Sequence, residues 1–144
     1  ISIGEQKLRL FEGEALVAQY AVSSAANGIG FEEGSYCTPT GRFEVSEKIG
    51  DGEASGTIFK SRKPMGVWDG TPSDDDMILS RILRLNGLDA QNANSMERYI
   101  YIHGTNHEAL LGEPSSHGCI RMANADIVEL FDRIEVRAPL VIGY

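Results

Sequence analysis

Positive charge is scarce in this chain of 144 residues: 13 Lys and Arg stand against 21 Asp and Glu, a formal charge of −8 at pH 7. A nucleic-acid backbone or an anionic membrane surface needs clustered cations, so neither is expected as a partner. Long hydrophobic runs are missing too, and nothing approaches the ~20 apolar residues of a membrane span, so no membrane insertion is expected. The opening stretch ISIGEQKLRLF carries charges where a secretory leader needs an apolar block, and it does not begin with Met. Cysteine is nearly absent. Cys37 and Cys119 are too few for a disulfide scaffold or a four-thiolate zinc site. Internal repeats and low-complexity tracts are lacking. What is present, 42% hydrophobic residues, suffices for one buried core. The expectation is a single soluble domain over residues 1–144, acting as a monomer.

The first half reads as strands separated by turns. Gln6–Phe11 and Ala15–Val22 flank Glu12-Gly13-Glu14 as a hairpin would. Gly28, Gly30 and Gly34 mark a loop, and Thr38-Pro39-Thr40-Gly41 carries a turn signal. In the strand from Arg42 to Ile49, Phe43 and Val45 share one face. Residues 50–76, rich in Gly, Asp, Ser and Pro, read as a long surface excursion. Met77–Leu85 alternates as a strand, Tyr99–His103 is a β-branched and aromatic strand, and Pro139–Ile142 closes the chain as another. Ile127, Val128, Leu130, Phe131 and Ile134 recur at helical spacing, with Asn124 or Asp126 available as a cap. Many strands and one late helix predict a mainly β fold, sandwich-like or barrel-like.

The chemistry concentrates between residues 101 and 122, YIHGTNHEALLGEPSSHGCIRM. A cysteine beside glycine exposes its sulfur and presents backbone N–H groups to a substrate. A free thiol is only about 3% ionised at pH 7, so a nucleophilic Cys119 needs a base or nearby positive charge. His103 and His117 are the available bases, and Arg121 supplies charge. His117 precedes Cys119 by two residues, which in strand geometry would aim both side chains the same way.

SHGCIRM at 116–122, preceded by IHGT at 102–105, resembles the L,D-transpeptidase catalytic domain, or YkuD domain. TPTGRF at 38–43, ILSRIL at 78–83 and the helix after the cysteine fall in the family's order, so the resemblance covers essentially the whole chain. It implies a β-sandwich or barrel-like YkuD fold with one helix in the C-terminal half and a lid loop, expected within residues 50–76. Cys119 would be the nucleophile and His103 the general base. Ser116, His117 and Gly118 would shape the site, and the N–H groups around Gly118 and Cys119 would form the oxyanion hole. Arg121 would hold the loop or meet a substrate carboxylate, and Gly104 and Tyr101 would border the substrate. Many members carry Asn where Arg121 stands.

The activity implied is acyl transfer on peptidoglycan tetrapeptide stems, with no cofactor and no metal. Cys119 would attack the carbonyl of the diamino acid and release D-alanine. An amine of a second stem would then give a 3→3 cross-link, or water would give the product of an L,D-carboxypeptidase. Carbapenems would acylate the same cysteine. The partners would be bacterial stem peptides or muropeptides. No export signal is visible, which favours the cytoplasm over the periplasm or cell envelope.

Duller readings stand beside these. Cys119 is a buried structural thiol in one, and the chain a non-catalytic wall-binding module in another. His103, His107, His117 and Cys119 as zinc ligands would make a hydrolase, but Gly104 and Asn106 suit a helical His pair poorly. His107 reads as a solvent-facing loop residue. Cys37 reads as a packed small hydrophobe, not bridged to Cys119. Trp68 and Tyr101 fit core packing or loop anchoring better than stacking on a sugar. Asp74-Asp75-Asp76 reads as a solvated loop face rather than a cation site.

Overall fold

In the computed structural model, which describes residues 1–144, the chain forms nine strands and one helix. The expected hairpin is present as β1 (Lys7–Glu12) and β2 (Ala15–Ser23), which pair antiparallel around Gly13 at φ +62°. After an irregular loop come β3 (Gly41–Ile49), β4 (Thr57–Lys60), β5 (Lys63–Val67), β6 (Ile78–Gly87), β7 (Tyr101–Gly104) and β8 (Ile120–Met122). Helix α1 (Asn124–Arg133) and β9 (Pro139–Ile142) complete the order.

The strands lie side by side as β1-β2-β8-β7-β6-β3-β9, a curled sheet resembling half a barrel. All neighbours are antiparallel except β7 and β8, which run parallel. Alternation in β3 does what its sequence demands: Phe43 and Val45 are buried and Glu44 and Ser46 are not. Val22, Phe43, Leu83, Ile102 and Ile120 meet Ile127 of α1 in the main core. The helix buries Ile127, Leu130 and Phe131 against the sheet, worth on the order of 1.5–3 kcal/mol for each side chain.

Several local expectations need correction. The excursion over 50–76 is not wholly irregular, because β4 and β5 form a hairpin there. Its tip, Ser61-Arg62, has both residues at positive φ, the backbone of a tight two-residue turn. Thr38-Pro39-Thr40-Gly41 does not turn. Thr38 bridges Ile29 in parallel and no turn forms over residues 38–40, the turn lying earlier, at Glu33-Gly34. Neither Asn124 nor Asp126 caps the helix; the cap position is Ala123, and the Asn124 side chain reaches Thr105 O at 2.9 Å instead. Ile134 lies just past the last helical turn.

One irregularity sets the geometry of the site. In β6, Leu79 pairs with Gly104 and Ile82 with His103, so residues 80 and 81 bulge out of the ladder. Ser80 sits at φ +73°, and the Arg81 guanidinium holds the bulge by donating to Ser80 O at 2.6 Å and Glu53 O at 2.9 Å. Such bulges re-aim neighbouring side chains, and this one flanks His103. Gly104 must be glycine: a Cβ there would stand 2.5 Å from Leu79 O and 2.5 Å from Asn124 Oδ1.

Candidate active site

The parallel pair β7–β8 brings the motif residues together. Its register sets His103 opposite Arg121, with Cys119 immediately before β8. The strand therefore begins at Ile120, later than the 117–119 geometry assumed above. Gly118 takes φ +127°, and His117 turns outward with a 66% exposed side chain. Its ring lies edge-on to Tyr36, centroids 5.8 Å apart.

The Cys119 sulfur is held by the main chain leading into and forming β7. Its S–H donates to Tyr99 O at 3.2 Å, and it accepts from Tyr101 N at 3.4 Å. Phe59, Ile82 and Tyr101 form a small apolar cluster against it. Enclosure pushes the thiol up to about 11; the Tyr101 N–H opposes this most, the Asp76 carboxylate adds to the rise, and Arg121 and Arg98 pull back least. At neutral pH the resting sulfur is thus a neutral thiol.

His103 is almost wholly buried, and that burial lowers its pKa, so the ring is neutral. Its Nδ1 lies 2.6 Å from Gly104 O. A carbonyl only accepts, so Nδ1 carries the proton and Nε2 is left as a proton acceptor. That tautomer is the one a general base requires.

The turn around Gly118 is fixed by hydroxyls. Ser116 Oγ donates to Cys119 O at 2.5 Å and accepts from Gly118 N–H at 3.2 Å. Thr38 Oγ1 donates to Gly118 O at 2.8 Å. The Gly118 N–H is therefore already engaged, whereas the Cys119 N–H makes no backbone bond and none to a side chain. Of the two oxyanion donors anticipated, the Cys119 N–H is the free one.

Polar groups outside the sheet border the two tyrosines that hold the sulfur and form the roof of the site. Arg62 at the β4–β5 tip donates to Tyr101 Oη at 3.2 Å and lies 5.6 Å from the Tyr99 ring centroid. On the other flank, residues 68–77 form a strap. Asn106 Nδ2 donates to Asp75 O at 2.9 Å and to Ser73 O at 3.4 Å, and its Oδ1 accepts from Met77 N–H at 3.1 Å. His107, in the loop as expected, lies half-buried with Nε2 2.9 Å from Asp75 O in a solvent-exposed contact.

The strap also overturns the reading of Asp74-Asp75-Asp76 as a purely solvated face. Asp76 Oδ1 lies 3.0 Å from Arg121 Nη2, and Oδ2 lies 3.5 Å from His117 Nδ1. Arg121 is buried and further donates to Ser115 O at 3.0 Å. Sequence reasoning missed Asp76, and so much polar sequence around it gave no local sign of its partner. Tyr101 is a packing residue with its hydroxyl turned to Arg62, and Trp68 hydrogen-bonds Thr71 O within the strap. Both cysteines are free thiols. No three His, Cys, Asp or Glu side chains are grouped as metal ligands would be.

A mainly β, curled sheet carrying a single helix is the fold of the L,D-transpeptidase type of domain. The profile of the YkuD L,D-transpeptidase catalytic domain matches residues 1–142, and the chain belongs to that family. Among relatives, the candidate L,D-transpeptidase YqjB of Bacillus subtilis (strain 168) is 34% identical over 114 residues, 76% of this chain and 59% of YqjB. YkuD of the same organism is 39% identical over 61 residues, 42% of this chain and 37% of YkuD. An L,D-transpeptidase from Mycobacterium smegmatis superposes with a TM-score of 0.63 at 16% identity, over 98% of this chain and 55% of that one. LdtMt1 in complex with imipenem gives 0.61 at 18% identity, over 98% and 56%. The structural likenesses establish the fold, and the chain spans little more than half the length of YqjB and of these two solved proteins.

Proposed function

We propose that Cys119 performs two-step acyl transfer on peptidoglycan tetrapeptide stems, with His103 as the proton carrier. The observation that carries this reading is the β7–β8 register, which sets His103, its Nδ1 committed to Gly104 O, across from Arg121 and so two residues from the half-buried Cys119 thiol. An enclosed thiol resting as S–H and a histidine resting uncharged favour concerted transfer over a preformed thiolate–imidazolium pair.

As the sulfur attacks the carbonyl of the diamino acid, its proton passes to His103 Nε2. Negative charge grows on the carbonyl oxygen, where the free Cys119 N–H can donate. The intermediate collapses with the C–N bond breaking, and the imidazolium returns the proton to the departing D-alanine amine. A thioester remains on Cys119. In the second half, His103 takes a proton from an incoming amine or from water as it attacks, and the proton goes back to the released sulfur. An amine gives a 3→3 cross-link. Water gives the tripeptide of an L,D-carboxypeptidase. The roof formed by Arg62 and the strap governs which of the two reaches the thioester.

A tetrapeptide stem containing a diamino acid, incubated with and without a second stem, tests the reading by mass spectrometry of the products. A linked dimer supports transfer, and tripeptide with free D-alanine alone supports hydrolysis. No thioester on Cys119 with the stem or with imipenem, the compound seen on the similar LdtMt1, would remove the enzymatic reading.

A further inference from the structure

Arg121 is a buried cation whose counter-ion comes from the surface. Its side chain is 3% exposed, and the one carboxylate within ion-pair distance is that of Asp76, on a strap held chiefly by polar contacts. A buried guanidinium requires an anion, because leaving it unpaired is strongly unfavourable. Asp76 satisfies it incompletely. It reaches Nη2 alone, Nη1 is spent on Ser115, and the buried Nε has no hydrogen-bond partner at all. A guanidinium edge of Nε and Nη2 is shaped for two parallel bonds to one carboxylate. The fork is therefore half filled.

Its place along the chain is informative. Arg121 lies two residues beyond Cys119, and its charge and that of Asp76 both act on the Cys119 thiol, so the ion pair stands near the sulfur. In a peptide whose penultimate carbonyl is attacked, the terminal carboxylate lies one residue further, about 4 Å from Cα to Cα. A donor seated on the sulfur would carry its C-terminal carboxylate only one residue further, into the neighbourhood of this ion pair.

We propose that Asp76 is a resident stand-in for the C-terminal carboxylate of the acyl donor, displaced from Arg121 when a donor binds, so that Arg121 selects peptides ending in a free carboxylate. The inference rests on the acyl-transfer reading above for the identity of the donor, but not for the anion site itself. Displacement frees Asp76 and, with it, one anchor of the strap. When D-alanine departs, its carboxylate leaves too and Asp76 returns to the guanidinium. Donor specificity and roof position then depend on one exchange of carboxylates.

The test compares a tetrapeptide stem ending in a free carboxylate with the same stem as its C-terminal carboxamide, on the wild-type protein and on Asp76→Asn. The wild type should acylate from the acid at least about tenfold more efficiently, the scale of one lost charge-assisted contact. Asp76→Asn should lower KM for the acid several-fold and leave that for the carboxamide within about twofold, since only the acid competes with Asp76. A merely structural Asp76 would raise KM for both alike, and that result overturns the proposal. Equal use of acid and carboxamide by the wild type also overturns it, without any variant. Calorimetric binding of N-acetyl-D-alanine, which has no diamino-acid carbonyl to attack, separates this inference from the reaction itself. Tighter binding by Asp76→Asn supports the stand-in even if no stem acylates Cys119, and unchanged or weaker binding overturns it.

Discussion

The floor and the roof of the site are built on different principles. The floor is β6, β7 and β8, where Leu79, Ile82, Leu83, Ile102, Ile120 and Met122 are all but fully buried and backbone pairing is continuous on both sides of the bulge. The roof is the β4–β5 hairpin and the 68–77 strap, where all of β5 is exposed and side-chain hydrogen bonds are the anchors. Groups that must hold their geometry sit on the floor. Groups that must yield to a large substrate sit on the roof. Exposed hydrogen bonds open at small free-energy cost compared with a packed core, so the two regions should differ in dynamics as they do in composition.

The sharpest test of that division is chemical. Cys119→Ala should lower turnover on the order of 10⁴-fold or more, with no covalent carbapenem adduct by intact mass, and His103→Ala about 10²–10⁴-fold. Activity within a few-fold of wild type in either variant would mean the floor does not hold the reacting groups. The next effect is on stability: Gly104→Ala drives a methyl into Leu79 O and should cost on the order of 3 kcal/mol, read as a lower urea midpoint.

A smaller and differently placed effect is expected from Asn106→Ala. It removes three bonds to the strap and should speed proteolytic cleavage within residues 68–77 several-fold while shifting the urea midpoint by about 1 kcal/mol or less. A global loss as large as that of Gly104→Ala would erase the distinction between the two regions.

The smallest effects are those of pH. His103 has a folded pKa below its unfolded value near 6.5, so the unfolded chain binds the extra proton first. Stability should decline as pH falls below about 6.5, down to the folded pKa. Cys119 works in the opposite sense. With the folded thiol near 11 and its ordinary value at 9.0, its contribution should fade as pH rises between those values. Cys119→Ala and His103→Gln should each flatten its own limb of a denaturation–pH curve.

Legibility in the sequence followed the same division. Floor elements announce themselves through local pattern: the alternation of Phe43 and Val45, the YIYIH run, and the spacing of Ile127, Leu130 and Phe131. The SHGCIRM and IHGT strings identify the family because a reactive cysteine and its histidine depend on neighbours close in sequence. Roof features depend on distant partners. Asp76 and Arg121 are far apart in the chain, and nothing around either residue names the other. The same holds for Asn124, polar and well placed to cap a helix, whose side chain is drawn to Thr105 and Ser80 by the way β6 and β7 meet. The bulge at Ser80-Arg81 was hidden because its residues continue the apparent alternation of ILSRIL.

The strand order carries a consequence for how the site comes into being. β8 is wedged between β7, close behind it in sequence, and β2, whose Val22 pairs with Met122 a hundred residues later. Folding must close that long loop before the pairing can reward it, and parallel pairing of β7 with β8 requires a crossover loop as well. The acquisition of the native state should therefore be slow, in the millisecond-to-second range of β-rich topologies. Cys119 lies at the start of this late-placed strand, so its thiol should stay open to solvent until assembly is nearly complete. Timed alkylation during refolding would follow that last event through a single sulfur atom.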